Sequence, residues 1–449
     1  MEKEKQQVRG IRRDIFALAI PAILEMMLHT LVWTADTAMV GRLDPASISS
    51  VNLGSQMVFT ISSILGGLGI GATALVARYI GANDKEKAER IATQSIGIGI
   101  IISLLIGITG ILTSNMIFRN IVKDPEVVTL GTQYLEILFI GSIFLIPLLI
   151  TNAIIRGSGN TVIPLISAVV ANIFNIVWDY ILIFGKFGFP RLEVRGAAIA
   201  TAGSQLLGLT ITLTFLMLGK TDIKVKLKNI FKFKLRDIKS IVNLSLPATL
   251  EVTMNEGSRL ISAFWVAQLG TLAFSGHSLA SAAESVSYMP GNGFTIATTA
   301  LIGRSMGARN IDRAELTVKK SQKYAVIMMA AIAIIFFTIP YPIMRLYSNN
   351  LDSVSIAARC LRVGALEQIP IAIAMVYSGA LKGAGDTKGP FKIALIINLF
   401  VRLPLIFIIV FIAKARIEYV WLATAMQYVA EAILMRIRYK RGRWKSISI

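Results

Sequence analysis

Long apolar runs, interrupted at intervals by Gly, Pro and clustered charge, fill most of the chain. A hydrocarbon core needs roughly 18 to 20 apolar residues per helix. On that measure the pattern predicts helices near 14–41, 47–78, 88–113, 130–153, 161–184 and 196–218. After a basic link at 220–240 come six more, near 241–268, 274–303, 314–340, 355–379, 391–412 and 418–438. The expected fold is an all-α integral membrane protein of twelve transmembrane helices. One stretch departs from pure apolarity: NAIIRGSGNTVIPLISAVVANIFNIVWD, 152–179, turns through Arg156, Gly157, Gly159 and Asn160 into a helix carrying Asn172, Asn175 and Asp179. At about 100° per residue these three fall within an arc of roughly 60°. A carboxylate at that depth costs at least about 2.5 to 3.5 kcal/mol by insertion scales, so it should face protein or water and mark an ion or proton pathway.

The pattern also repeats. Shifted by 226 residues without a gap, IPAILE (20–25) falls on LPATLE (246–251), and TALVARYIGANDKEKAE (73–89) falls on TALIGRSMGARNIDRAE (299–315). RGSGNTVIP (156–164) falls on KGAGDTKGP (382–390), and Asn172 on Asn398. Such a constant offset marks a duplicated unit. Six spans per half give both halves the same orientation, hence two lobes related by a pseudo-two-fold axis along the membrane normal, with a cavity near the midplane. The expected division is an N-lobe at 1–219, a cytoplasmic basic linker at 220–240 and a C-lobe at 241–449.

The halves differ where it matters chemically. The counterparts of Asp36, Asn152, Asn175 and Asp179 are Ser262, Ser378, Val401 and Leu405. Asp36, in WTADTAMVG, is the second deep acid of the first half, and two carboxylates in a low-dielectric cavity do not both stay ionised cheaply. Either one holds a proton or both share a cation, with Asn152, Asn175 and Thr201 supplying neutral oxygens. Hard oxygen ligands of this kind suit Na⁺ at Asp36, Asn152, Asn175 and Asp179 as well as H⁺. In the second half Glu251, Glu256, Glu284 and Glu367 also lie within predicted spans. Glu25, Gln56 and Glu256 are candidate substrate contacts, although Arg259 follows Glu256 on the same helix face and is placed to pair with it.

Composition and charge narrow the class. The chain is 54% hydrophobic and 16% charged, with mean hydropathy +0.66. The net charge of +20 is spread through the connecting loops, which argues against a nucleic-acid partner. With the N-terminus inside, inner segments carry 33 Lys and Arg and outer loops 9, so both termini are expected in the cytoplasm of an inner-membrane, multi-pass protein. The basic N-terminus precedes a first helix expected to be retained. A single cysteine, Cys360, excludes an intramolecular disulfide. No catalytic residues are identified: the chain has no H-E-x-x-H, no Ser-His-Asp candidate and no phosphate-binding G-x-x-x-x-G-K-[ST], so it reads as a non-enzyme without ATP-driven chemistry.

In combination, the duplicated halves, the first-helix P-x-x-x-E…D-T-x-x-V-G pattern (Pro21, Glu25, Asp36, Thr37, Val40, Gly41), the RGSGNT and KGAGDT loops and N-x-x-N-x-x-x-D in the fifth helix resemble the multidrug and toxic compound extrusion (MATE) transporters across essentially the whole chain. The resemblance implies a V-shaped exporter driven by H⁺ or Na⁺, with no cofactor. It also implies that the group matching Asp36, Asn152, Asn175 and Asp179 holds the coupling cation, as in DinF-like and archaeal-like members; Thr201 is a looser match. The acid that the NorM-like branch carries in its tenth helix falls here on Ile371, which favours the DinF-like branch. The expected function is a monomeric antiporter exporting amphipathic or cationic small molecules across the bilayer. A lipid-linked oligosaccharide or polysaccharide flippase of the same superfamily is the alternative.

Overall fold

The computed structural model describes residues 2–447, apart from the side chains of residues 2–5 and 33. Its helices are α1 (Glu2–Val40), α2 (Pro45–Gly81), α3 (Lys85–Ile121), α4 (Pro125–Gly157), α5 (Val162–Phe184), α6 (Glu193–Met217), α7 (Leu235–Ala267) and α8 (Thr271–Gly307). They continue with α9 (Ile311–Thr338), α10 (Pro340–Arg345), α11 (Leu351–Gly364), α12 (Gln368–Gly383), α13 (Lys388–Ile397), α14 (Leu403–Phe407) and α15 (Ile417–Lys440). Among the described residues, nine helical stretches are long and apolar enough to cross a membrane, and the bent pair α11 and α12 makes a tenth. The remaining two spans are α7 and α8, 33 and 37 residues long, whose apolar content is diluted by Glu251, Glu256, Arg259 and Glu284. The twelve-helix fold follows.

Packing divides the chain into two units. The first comprises Leu24–Ile80 and Asp84–Asn243; the second comprises Met1–Ile23, Gly81–Asn83 and Leu244–Ile449. The division cuts α1 two residues beyond Pro21, which lacks the N–H of a helical rung. Before the cut, Ile11, Ile15, Leu18 and Ala19 are buried in a core with Phe294, Ala297 and Leu301.

The repeat is reproduced contact by contact. Thr73 Oγ1 donates to the Ala153 carbonyl at 2.8 Å, and its counterpart Thr299 donates to the Gly379 carbonyl at 3.1 Å. Gly157 and Gly383 let those helices approach: a Cβ on either would stand 2.7 or 2.4 Å from the carbonyl oxygen of Thr73 or Thr299. Asp84 and Asn310 cap α3 and α9, accepting from the N–H of Lys87 and Arg313. Glu25 is buried and receives Arg156 at 2.6 Å; Glu251 is buried and receives Lys382 at 2.8 Å. Each carboxylate position and each cation position is related by the same 226-residue step. Conserving a buried ion pair in both copies fixes register, because either charge left alone would be strongly unfavourable.

Within the first unit, α5 buries Ser167, Ala171, Asn175 and Asp179 and exposes Ile166, Ile173, Val177 and Tyr180. The polar stripe therefore faces protein and the apolar face is left for lipid. Close packing of α6 on α5 depends on Gly196, where a Cβ would stand 2.8 Å from the Leu182 carbonyl oxygen. The link after α6 is docked on α3: Lys224 N–H donates to Glu89, Lys234 N–H to Gln94, and Arg90 pairs with Asp237 at 2.6 Å.

Two predicted single helices are broken in the second unit. The span expected at 355–379 bends by 52° between α11 and α12. There Leu366 and Glu367 N–H groups bond three residues back, to Val363 and Gly364. Pro370 has no N–H to offer the Leu366 carbonyl, so the α ladder fails there. The span expected at 391–412 contains wide π turns at Asn398–Arg402 and Ile408–Ile412, on either side of Pro404.

Candidate functional site

Asp36 lies one turn before the end of α1, and Asp179 five residues before the end of α5. Both helices end at the same side of the first unit, and the two carboxyl groups come within hydrogen-bonding reach of each other. Asp179 is completely buried. Neither of its oxygens, nor Asp36 Oδ1, receives a hydrogen bond from the protein. Two acceptors thus meet with no donor between them. Two full charges about 4 Å apart would repel by about 4 kcal/mol at an effective dielectric near 20. The arrangement is suited to holding a cation, whether H⁺ or Na⁺.

Asn175, one turn earlier on α5, is buried with its Nδ2 lacking an acceptor, and Asn172 Nδ2 is in the same position. Contacts of Gly196 with Leu182 and of Gly203 with Phe174 place Thr201 of α6 opposite the part of α5 that carries Asn175 and Asp179. Asp36, Asn175 and Asp179 lie together, and Thr201 is on the neighbouring α6 at the level of that part of α5. Asn152 is apart. It lies five residues before the end of α4 at the turn into α5, whereas Asp179 lies 17 residues beyond the start of α5. At 1.5 Å per residue that separates them by about 18 Å along the helix axes. Asn152 instead occupies the position whose counterpart, Ser378, donates to Glu251 of the second ion pair.

Among the candidate substrate contacts, Glu25 is engaged in the ion pair common to both units. Gln56 is exposed on α2. Glu256 is half-buried on α7, and the guanidinium of Arg259 lies over the Tyr288 ring, 5.9 Å from its centroid.

Sequence reading missed Tyr134. It comes from α4, its hydroxyl meets Ser55 Oγ at 2.8 Å, and it is close enough to both aspartates to sense their charge. Its repeat counterpart is Cys360, so the comparison of halves that singled out Asp36 would have found it too. Gly54 makes room for the ring, since a Cβ there would stand 2.6 Å from Tyr134 Cδ1. In the tenth span Ile371 is buried, and Glu367, one turn earlier at the bend, is a buried acid with neither oxygen hydrogen-bonded.

Twelve membrane-spanning helices in duplicated halves, with a buried acid pair lacking a protein donor in the first unit, have the architecture of a polytopic transporter. Comparison with known proteins gives the family. The family model MatE matches twice, at residues 21–181 and 247–408, the two matches beginning 226 residues apart. The chain belongs to the MatE family of membrane transporters. It is 28% identical over 449 residues to "Probable multidrug resistance protein NorM" of Thermotoga maritima, covering 99% of this chain and 96% of that protein. A Bacillus subtilis relative, "Uncharacterized transporter YisQ", is 23% identical, with 96% and 94% covered. The fold matches that of a MOP superfamily transporter from Pyrococcus furiosus with a TM-score of 0.90, 24% identity and 98% of each chain covered.

Proposed function

We propose that this protein is a secondary active multidrug efflux antiporter, exporting amphipathic organic cations in exchange for H⁺ or Na⁺. The observation that supports the coupling half of this reading is the Asp36–Asp179 pair, two carboxyls facing each other without a protein donor. Cation entry neutralises the pair, and its departure restores the repulsion. Differential affinity for the ion between two conformations is what couples its gradient to export, since an ion bound equally by both would shift nothing. Asn175 and Thr201 serve as neutral ligands or hydrogen-bond partners, and Tyr134 holds the rim of the site. Asn152, in the Glu25–Arg156 neighbourhood, positions the α4–α5 turn. The excess of Lys and Arg in alternate loops supports cytoplasmic termini in a cell membrane.

Asp36→Asn is the direct test. Cells expressing it should lose resistance to organic cations while the purified variant keeps its helical content and membrane insertion; full resistance would overturn the assignment. Purified protein in vesicles, given a Na⁺ gradient or a pH gradient separately, identifies the ion by which one drives substrate movement.

A further inference from the structure

The link between the two halves carries eight Lys and Arg against two Asp between residues 220 and 239, and all eight cations are exposed. Positive charge is ordinary in such a loop, but the seating of this one is specific. Ile223, Val225 and Ile230 are buried, whereas Leu227, Phe231 and Leu235 stand open, Phe231 63% and Leu235 82% exposed. Each of those three is followed at once by a cation, Lys228, Lys232 or Arg236. The segment therefore has two sides, one packed on protein and one that is both apolar and basic. Of the two acids, Asp237 is turned inward onto Arg90 at 2.6 Å.

The platform beneath the link is α3. Lys224 N–H donates to Glu89 and Lys234 N–H to Gln94. Gly97 admits the link's backbone: an added Cβ would collide with the Ile230 carbonyl oxygen and stand 3.1 Å from the Phe233 ring. That ring meets Phe231 edge-on with centroids 6.3 Å apart, so the exposed ring has a fixed neighbour. The counterparts of Arg90, Gln94 and Gly97 in the second half are Leu316, Lys320 and Lys323, which makes this seat peculiar to the first. From Glu89 to Gly97 is about 12 Å along the axis of α3, so the link descends toward the apolar stretch of that helix. One turn beyond Gly97, Ile101 is exposed on the surface left for lipid. The open side of the link thus lies at the level where headgroups give way to hydrocarbon.

We propose that residues 224–236 form a binding surface for anionic phospholipid. Leu227, Phe231 and Leu235 enter the boundary between headgroups and acyl chains, and the cations beside them contact the phosphodiester groups of the same leaflet. Apolar insertion and charge attraction reinforce each other at such a boundary. A soluble polyanion would match the charge but leave the three apolar side chains without a partner. The reading rests only on α3 and α6 crossing the bilayer, and is independent of the coupling ion and of the exported substrate.

The test uses the full chain carrying Lys228→Cys and a nitroxide label, in nanodiscs of phosphatidylcholine alone or of phosphatidylcholine mixed with phosphatidylglycerol. Cys360 is buried and stays unlabelled. Nanodiscs expose both faces, so the outcome does not depend on which side of a cell membrane the link occupies. With phosphatidylglycerol present, collisions of the nitroxide with oxygen should rise and those with a neutral, water-soluble nickel chelate should fall several-fold, and added salt should reverse part of that shift. Changing Lys226, Lys232 and Lys234 together to Gln should cancel most of the lipid dependence. Phe231→Ser should do the same with every charge in place, which separates insertion from simple attraction. Equal accessibility in the two lipids, variants that behave like the parent, or protection by RNA in place of phosphatidylglycerol would overturn the proposal.

Discussion

Glu25 and Arg156 show what a single buried charge does in this protein. With Glu25 only 1% exposed and Arg156 2.6 Å away, Arg156→Ala strands a carboxylate in the interior, an error worth about 3 to 5 kcal/mol. The variant should unfold at markedly lower temperature in detergent, and Glu25→Gln added to it should recover much of the loss. The same pattern should hold for Lys382→Ala and Glu251→Gln; an Arg156→Ala protein as heat-stable as the parent would contradict the pair's scaffold role. At this scale the sequence showed which residues are special to one half, but not their depth. Helical periodicity gives the face on which Asn152 and Asp179 lie, not the distance between them along the axis. Comparing halves from the first toward the second singles out Asp36, whereas Glu284 and Glu367 stand out only as acids within predicted spans.

At the scale of the element, the spans were legible but their ends were not: α1 begins at Glu2 rather than near 14, and α3 runs to Ile121 rather than 113. Asp44 precedes Pro45 and receives the Ser47 N–H at 2.8 Å and the Ser47 hydroxyl at 2.7 Å. Those two bonds hold its carboxyl below the ordinary value of 3.8. A lowered value in the folded state means that the stabilisation is present at neutral pH and is lost as pH falls through that lowered value. Asp44→Ala should therefore cost up to about 1 kcal/mol near pH 7, reduced by exposure and screening. The difference from the parent should close in acid, as followed by thermal unfolding at several pH values. The bend between α11 and α12 was not legible: Pro370 two residues into a new helix looks, in sequence, like Pro21 or Pro147 inside continuous ones. What separates them is tertiary, the burial of Glu367 at the bend.

At the scale of the whole molecule, the duplication was readable throughout because one offset relates caps, turns and ion pairs alike. The membership of α1 was not readable, since nothing local distinguishes Ile23 from Leu24. Residues 6–23 are joined covalently to one half and packed with the other. Cleavage near Lys228, which is exposed in the link, should therefore leave two fragments that co-purify in mild detergent on a tag at either end. Clean separation of the fragments would show that the buried contacts of Ile15 and Leu18 do not hold them.

That crossing also orders events at the ribosome. Ile15 emerges early, but its partner Phe294 is made some 280 residues later, roughly 15 to 60 seconds at typical elongation rates. Until then the start of the first helix must wait in the translocon or in lipid with its apolar face uncovered. Translation of the final third of the message is thus the step that completes the beginning of the chain.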